Sequence, residues 1–315
     1  MAGVKHSLSV DLNGLRFPLP VLAASGCFGT GKEGAGLVDP HKLGGVVTRS
    51  LTLDPTKGSP TPRIAETPSG LVSSIGLQNS GVEGFLLEDL PRLARSGLPV
   101  IASIAGTSLE EYVRMASLLQ DRAGIVALEV YLSAPDEERG GGEPFASRLD
   151  RVIEIVGAVS RMSRAPVFAK LPLLADLVET AHACVRAGAH GLTLIDALPA
   201  MAIDVQRLRP KLAAGLGWLS GPAIRPVAVG AVYRVARELP GVPIFGVGGV
   251  TTAEDAIEFL LAGAWAVQVG TALLVDPQAP AEISAGILRY LRSKGLASPA
   301  DLRGRVRVRA QAGSP

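Results

Sequence analysis

Short apolar runs recur along the chain, and stretches with helical periodicity separate them. Most of these runs are continuous rather than alternating, which is typical of parallel strands that are covered on both sides. Eight runs are predicted as strands: Val21–Ser25, Gly45–Leu53, Val100–Ala105, Ile125–Leu132, Pro166–Leu171, Gly191–Ile195, Val242–Val247 and Ala266–Val269.

The intervening stretches have the spacing of amphipathic helices. Between 148 and 160, apolar residues form one helical stripe: Leu149, Val152, Ile153, Val156 and Val159. Further helices are predicted over 108–121, 177–187, 226–238 and 253–261. Eight strands that alternate with helices predict the α/β class and a (β/α)8 TIM barrel, with a doubly wound open sheet as the alternative.

No linker rich in Pro, Gly or Ser divides the chain. We therefore expect one domain over residues 1–315, with a short irregular tail from about 300. Two long loops follow predicted strands, at 54–70 and 135–145. In TIM barrels, the loops that follow strands form the end that carries the active site, so functional residues are expected there.

Composition narrows the classes of function. The chain is 47% hydrophobic and has a formal net charge of +2, so nothing indicates a nucleic-acid partner. Cys27 and Cys184 form no CxxC pair, and the histidines show no metal-ligand spacing. The N-terminus lacks a signal-like segment, and no apolar run is long enough to span a membrane. We expect a cytoplasmic protein without a metal site.

Glycine-rich turns follow the last two predicted strands, at Gly246-Val247-Gly248-Gly249-Val250 and Gly270-Thr271-Ala272. Glycine lets backbone N–H groups approach an anion closely. In TIM barrels, the loops after strands seven and eight frequently bind phosphate. The two turns together predict a phosphate site, and the alternative is a pair of tight turns without a ligand.

Six motifs occur in order between about Leu8 and Pro277. They are Ala24-Ser25-Gly26-Cys27-Phe28-Gly29, Thr61-Pro62-Arg63, Ile75-Gly76-Leu77-Gln78-Asn79, Leu219-Ser220-Gly221-Pro222-Ala223-Ile224, Gly246–Val250 and Val269-Gly270-Thr271. Together they resemble the class 1 dihydroorotate dehydrogenases, and most closely the type that partners an iron–sulfur electron-transfer subunit. The resemblance implies an FMN-dependent barrel, usually a dimer, that oxidises dihydroorotate in pyrimidine biosynthesis.

The resemblance also implies roles for individual residues. The FMN phosphate would rest on one set of residues: Gly248, Gly249, Gly270 and Thr271, with Ser220 and Gly221 at the same end. Ala24, Ser25 and Gly26 would pass under the isoalloxazine ring. Lys170 matches the lysine at the pyrimidine edge of the flavin, where a cation stabilises the reduced form. Substrate positions of the family correspond to Arg49, Ser73 and Asn79.

Departures from the family pattern concentrate around the substrate. The position of the base cysteine is Ala134, and the flanking asparagine positions are Tyr131 and Asp136. The other changed positions are Arg49 for a lysine, Ser73 and Ser103 for asparagines, and Asp196-Ala197 for an asparagine with threonine or serine. The resemblance therefore implies a divergent member, with an intact phosphate site and a ring site changed at Tyr131 and Ser103.

These changes alter the chemistry that the site can perform. A methyl group at Ala134 cannot accept a proton, and desolvated carboxyl groups at Asp136 or Asp196 are candidate replacement bases. The alternative is that each aspartate is a solvated loop charge. Two carboxylates would repel anionic orotate, although Arg49 could offset one of them, so a neutral or cationic ligand, or none, is expected.

Three functional hypotheses result. The first is a dihydroorotate dehydrogenase-like FMN oxidoreductase acting on a CH–CH bond of a changed substrate, with Lys170, Asp136 and Asp196 as catalytic residues. The second is a catalytically inactive regulatory or structural subunit of such a complex. The third is dihydroorotate oxidation by an unorthodox site. A homodimer or a hetero-oligomer is expected, with an electron-transfer subunit or an active paralogue as partner.

Overall fold

The computed structural model describes residues 5–28, 37–136 and 143–307. Eight parallel strands close into a barrel in chain order, and the eighth strand pairs with the first. They are β1 Val21–Ala23, β2 Val46–Val47, β3 Val100–Ile104, β4 Ile125–Tyr131, β5 Val167–Leu171, β6 Gly191–Leu194, β7 Ile244–Val247 and β8 Ala266–Val269. The predicted (β/α)8 barrel is confirmed, and the open-sheet alternative is wrong.

Helices surround this barrel. In the described ranges they are α1 Gly81–Gly84, α2 Leu90–Arg95, α3 Leu109–Leu119, α4 Leu149–Met162, α5 Leu177–Arg186, α6 Arg225–Glu238, α7 Ala253–Ala262, α8 Thr271–Val275 and α9 Ala279–Lys294. The five predicted helices correspond to α3–α7. The apolar stripe of α4 faces the barrel at Val152 and Val156, which are completely buried, whereas Ile153 of the predicted stripe is exposed and Ile155 is buried in its place. No helix among the described residues is long and apolar enough to cross a membrane.

A hairpin of Val10–Leu12 and Leu15–Phe17 closes the N-terminal end of the barrel. The ring of Phe17 contacts Phe245 edge-on, with ring centres 5.9 Å apart, and Phe245 packs against Phe168. These rings belong to a buried apolar layer inside the barrel. Burying each such side chain stabilises the fold by about 1.5–3 kcal/mol. The N-terminal half of the barrel interior is therefore filled by packed side chains.

A four-stranded antiparallel sheet lies outside the barrel strands. Its order is Leu198–Ala200, Gly217–Ser220, Gly70–Ser73 and Ile64–Thr67. The prediction of 54–70 as a loop is therefore wrong over Ile64–Thr67. This strand pairs only with the neighbouring strand of the same sheet, and it buries one of its four side chains, so its local sequence lacks a continuous apolar run.

The segment after α9 is held against the barrel. Pro299–Asp301 forms a short 3-10 helix. The N–H groups of Gly304 and Val306 donate to the carbonyls of Leu260 and Leu261. The guanidinium of Arg303 stacks on the ring of Trp265 at 3.4 Å. Through Arg307, the expected irregular tail therefore follows a defined path.

Candidate functional site

Most of the predicted site residues meet at the C-terminal end of the barrel. All eight strands are parallel, so the residues that follow them share one end. Ala24, Ser25 and Gly26 follow β1, and Lys170 lies at the end of β5. Two glycine turns, at 248–249 and 270–271, follow β7 and β8.

Both glycine turns pack closely against the segment that contains Ser220 and Gly221. Gly249 has φ +78°, and a Cβ there would lie 2.7 Å from the carbonyl oxygen of Gly221 and 2.8 Å from Cβ of Arg225. A Cβ on Gly221 would lie 2.8 Å from Cα of Gly70. The hydroxyl of Thr271 donates to Ser220 Oγ at 2.8 Å. Glycine is therefore required where these loops meet.

Backbone N–H groups at this end are available to an anion. Across the described ranges, no acceptor receives a hydrogen bond from the N–H groups of Gly248, Gly249, Gly270 or Thr271. Unpaired N–H groups on adjacent turns form a concavity that binds anions. The residues present therefore fit a phosphate group.

A buried ion pair lies near these turns, in the space around Tyr131, Lys170 and Asp196, which we call the chamber. Lys170 is 6% exposed, and its Nζ lies 3.6 Å from Oδ1 of Asp196 and 5.7 Å from the centre of the Tyr131 ring. Burial alone lowers the pKa of Lys170. The carboxylates of Asp196 and Glu129 outweigh burial and hold the pKa above its ordinary value of 10.5. Lys170 is therefore a permanent cation at neutral pH.

Tyr131 is a neutral phenol within this chamber. Burial, followed by the negative charge of Asp196, raises the pKa of Tyr131 well above its ordinary value of 10.0. Its backbone carbonyl accepts a hydrogen bond from the Tyr112 hydroxyl at 2.6 Å, which fixes the end of β4. The ring of Tyr131 is thus placed beside the Lys170 ammonium.

Asp136, predicted as a candidate base, is engaged in a buried ion pair. Its side chain is 5% exposed, and it forms a two-pronged ion pair with Arg151 of α4, at 2.7 Å and 3.2 Å. Arg151 also binds Glu154 and lies over the ring of Phe145. The reading of Asp136 as a solvated loop charge is wrong, and its pairing argues against Asp136 as the proton acceptor.

The pairing of both aspartates changes the expected charge of the chamber. Asp136 is balanced by Arg151, and Asp196 by Lys170. Arg49 adds a further cation, and its Nη1 donates to the carbonyl of Gln78 at 3.1 Å. The predicted repulsion of an anionic ligand therefore lacks its basis, because neither carboxylate stands unbalanced. Among the described residues, no three His, Cys, Asp or Glu side chains are grouped as a metal site requires.

The predicted substrate residues have structural partners. The amide nitrogen of Asn79 donates to Thr52 Oγ1 and to the carbonyl of Leu77. Its amide oxygen accepts from the N–H groups of Thr52 and Gly81. Asn79 therefore anchors the loop that begins α1, which leaves its amide little capacity for a substrate. Ser73 pairs with Trp218 in the antiparallel sheet.

Ala134 is 2% exposed, and its carbonyl accepts from the N–H of Phe145 at 3.0 Å. Ala134, predicted to occupy the family's base position, thus contributes a buried methyl group. Asp196 is the carboxylate of the chamber that remains as a candidate base.

Sequence reasoning missed a polar layer beneath the chamber. It consists of Ser50, Ser103, Glu129, Thr193 and Gln268, all of them buried and hydrogen bonded to one another. The available signal was a single polar residue inside an otherwise apolar strand, such as Glu129 in Ile125–Tyr131.

The Lys170–Asp196 pair predicts a specific dependence of stability on pH. A raised pKa means that the folded state holds the Lys170 proton more tightly. Its stabilisation is fully present below pH 10.5 and is lost as the pH rises through the folded-state pKa. We expect Asp196→Asn to unfold at lower urea concentration than the wild type between pH 7 and 9. The difference should narrow above pH 10.5, and a difference independent of pH would contradict this assignment.

The sequence profile of a family described as dihydroorotate dehydrogenase matches residues 7–291. A relative from Geotalea daltonii, named "Dihydroorotate dehydrogenase B (NAD(+)), catalytic subunit", is 45% identical over 305 residues, covering 96% of this chain and 99% of the relative. A relative of the same name from Desulforudis audaxviator is 47% identical over 294 residues, covering 93% and 95%. Another, from Geobacillus kaustophilus, is 43% identical over 301 residues, covering 95% and 96%.

Proposed function

The chain belongs to the dihydroorotate dehydrogenase family, and we propose that it is an FMN-binding oxidoreductase of this family with a rebuilt substrate chamber. The observation that carries the proposal is the set of unpaired N–H groups at Gly248, Gly249, Gly270 and Thr271 beside the buried Lys170 cation. One end of this arrangement fits a phosphate, and the other fits an electron-rich ring.

The residues that would hold FMN follow from this geometry. The phosphate would rest on the two glycine turns, with Ser220 and Gly221 beside them. Ala24, Ser25 and Gly26 would lie under the ring, and Lys170 would lie at its edge. When bound, FMN supplies hydride transfer, and a nearby cation favours its reduced form.

Proton transfer in this proposal falls to Asp196. Ala134 offers no proton acceptor, and Asp136 is held by Arg151. Asp196 is 13% exposed and contacts Lys170, which orients its carboxylate toward the chamber. A positioned base typically contributes about 10²–10⁴-fold to rate, so a displaced base implies a substrate other than dihydroorotate.

A second candidate is a catalytically inactive subunit of a dihydroorotate dehydrogenase-type complex. The observation that favours it is the buried Asp136–Arg151 pair, which places a structural contact next to the position of the missing base. In either case the relatives are named as catalytic subunits. We therefore propose that the chain forms a homodimer or hetero-oligomer with an electron-transfer subunit or an active paralogue.

The absorption spectrum of the purified chain tests these proposals. Flavin bands, or their appearance on adding FMN, support the oxidoreductase. A protein that stays colourless with added FMN contradicts it and supports the inactive subunit. Among flavin-containing outcomes, orotate that perturbs the bands indicates dihydroorotate chemistry at this site, whereas an unchanged spectrum supports a different substrate.

Restoring the missing thiol provides a prediction about the substrate residues. Ala134→Cys alone should leave dihydroorotate turnover undetectable, because Ser73 and Asp196 stand where amide donors are expected. The measurement is orotate formation by the FMN-loaded variant, with Ala134→Ser as the matched control. Turnover restored by the single cysteine would show that the other changes matter little.

A further inference from the structure

A carboxylate lies fully buried inside the barrel, below the chamber. Glu129 is 0% exposed. Its Oε1 accepts from Ser103 Oγ at 3.2 Å, and its Oε2 accepts from Thr193 Oγ1 at 2.9 Å and from Gln268 Nε2 at 3.4 Å. Donors from β3, β6 and β8 thus converge on one side chain of β4. A buried charge requires such compensation, since desolvation is otherwise costly.

The hydrogen bond from Thr193 to Glu129 spans the strand that carries Lys170. The three strands are adjacent in the order β4, β5, β6. Lys170 is in register with Tyr131 of β4 on one side and with Thr193 of β6 on the other. Glu129 itself is in register with Phe168, two residues before Lys170. The hydroxyl–carboxylate contact between the two flanking strands therefore crosses β5 between the levels of Phe168 and Lys170, directly below the Lys170 side chain, and limits where that side chain can lie.

We propose that Glu129 is the positioning residue of Lys170. Its carboxylate, anchored from three other strands, balances the ammonium from below and holds it at the edge of the ring site. The functional part of this inference rests on the proposed FMN site, while the placement of Lys170 by Glu129 does not.

The charges that face Lys170 are consistent with this role. They are Asp196 after β6, Glu129 on β4 and the thiol of Cys27 after β1, and the Tyr131 ring lies beside them. Burial raises the pKa of the Cys27 thiol to about 11, although the positive charges of Lys170 and of Arg49, which follows β2, act in the opposite direction. The Cys27 thiol is therefore neutral at neutral pH, and the carboxyl groups that face the Lys170 ammonium are those of Asp196 and Glu129. Asp196 is reached from the chamber, whereas Glu129 is sealed from it.

Three serine hydroxyls extend the hydrogen-bond network of Glu129 toward the end of β1. Ser103 Oγ also lies 3.0 Å from Ser50 Oγ, which lies 3.4 Å from Ser25 Oγ. A line of serine side chains thus connects Glu129 to the residues proposed to lie under the ring. Positioning of Lys170 and support of the ring site share one network.

The test is the titration of Lys170 in the purified full-length chain with 13C-labelled lysine Cε, measured by NMR. The Lys170 resonance is assigned with Lys170→Arg. We expect Glu129→Gln to move the titration midpoint to lower pH, because the variant removes a negative charge but keeps the side-chain length. Glu129→Asp retains the charge and should restore the midpoint toward that of the wild type.

Glu111→Gln is the matched control. The Glu111 carboxylate accepts from Thr107 at the start of α3, away from Lys170, so its removal should leave the midpoint unchanged. An unchanged midpoint in folded Glu129→Gln, or equal changes in the Gln and Asp variants, would overturn the inference. If Glu129→Gln does not fold, Thr193→Val carries the test. The chemical shift of the Lys170 Cε resonance must then differ from that of the wild type, and an unchanged chemical shift would contradict the inference.

FMN binding is measured separately on the same samples. A shifted Lys170 titration in a chain that binds no FMN would contradict the proposed function and leave the placement by Glu129 standing. An unshifted titration in a chain that does bind FMN would contradict the placement of Lys170 by Glu129 and leave the proposed function standing.

Discussion

Replacing Gly249 by alanine should weaken FMN binding about 100-fold. The φ of +78° disfavours any side chain, and the new Cβ would lie 2.7 Å from the carbonyl oxygen of Gly221. Strain of this kind costs about 1–3 kcal/mol, and relieving it moves the N–H groups that are proposed to bind phosphate. A loss near 3 kcal/mol corresponds to about 100-fold in Kd. Quenching of FMN fluorescence on titration with the protein measures it.

Gly230→Ala is the matched control for this substitution. Gly230 lies in α6, and a Cβ there meets no atom within 4 Å. Alanine in a helix is more favourable than glycine by about 0.5–1 kcal/mol, so this variant should bind FMN normally and be slightly more stable. Equal FMN affinity in both variants, with both folded, would place the phosphate elsewhere.

Removing the carboxylate of Asp136 should cost about 3 kcal/mol of the free energy of unfolding. Arg151 is 4% exposed, and its contact with Glu154 only partly compensates its charge. Breaking a buried ion pair from one side typically costs about 3–5 kcal/mol. That is a large share of a stability of about 5–15 kcal/mol. Urea unfolding of Asp136→Ala at pH 7 measures the loss.

Asp150→Ala is the comparison for an exposed pair. Asp150 is in the first turn of the same helix, and its carboxylate binds Arg148 at 3.3 Å at the surface. Exposed pairs contribute about 0–1 kcal/mol, so this variant should unfold near the wild-type midpoint. The double variant Asp136→Leu with Arg151→Met should recover much of the loss, since apolar replacement of both partners is often nearly neutral. Equal destabilisation by Asp136→Ala and Asp150→Ala would show that burial of the pair contributes little.

The barrel was predictable because its signals are local. Each barrel strand is a short apolar run, and each helix from α3 to α7 has an apolar stripe at helical spacing. The antiparallel sheet was not predictable in the same way. Its central contact joins Ser73 to Trp218, which are far apart in the chain. Such strands gain their stability from pairing with one another rather than from a continuous buried run.

The site was predictable in part for the same reason. Glycine turns at the ends of β7 and β8 are visible in the sequence, and so is the lysine at the end of β5. Their convergence follows from the parallel barrel. The partner of Asp136 was not visible, because Arg151 reaches back from α4 and nothing in the local pattern marks that contact. The sequence predicted Asp136 as a candidate base, with a solvated loop charge as the alternative, whereas the fold pairs it with Arg151.

Glu129 shows a related limit. A glutamate in an apolar strand is conspicuous, but its meaning depends on donors from β3, β6 and β8. Each donor is an unremarkable residue in its own strand. Only closure of the barrel brings the four side chains together.

The hairpin that ends at Phe17 has a consequence for how ligands enter the barrel. Aromatic rings fill the N-terminal end of the barrel, so ligands enter the chamber at the C-terminal end, where the loops after the strands form the entrance. A protein partner docked over that entrance would control this entry. Assembly would then regulate access to the chamber without any change in the side chains that line it.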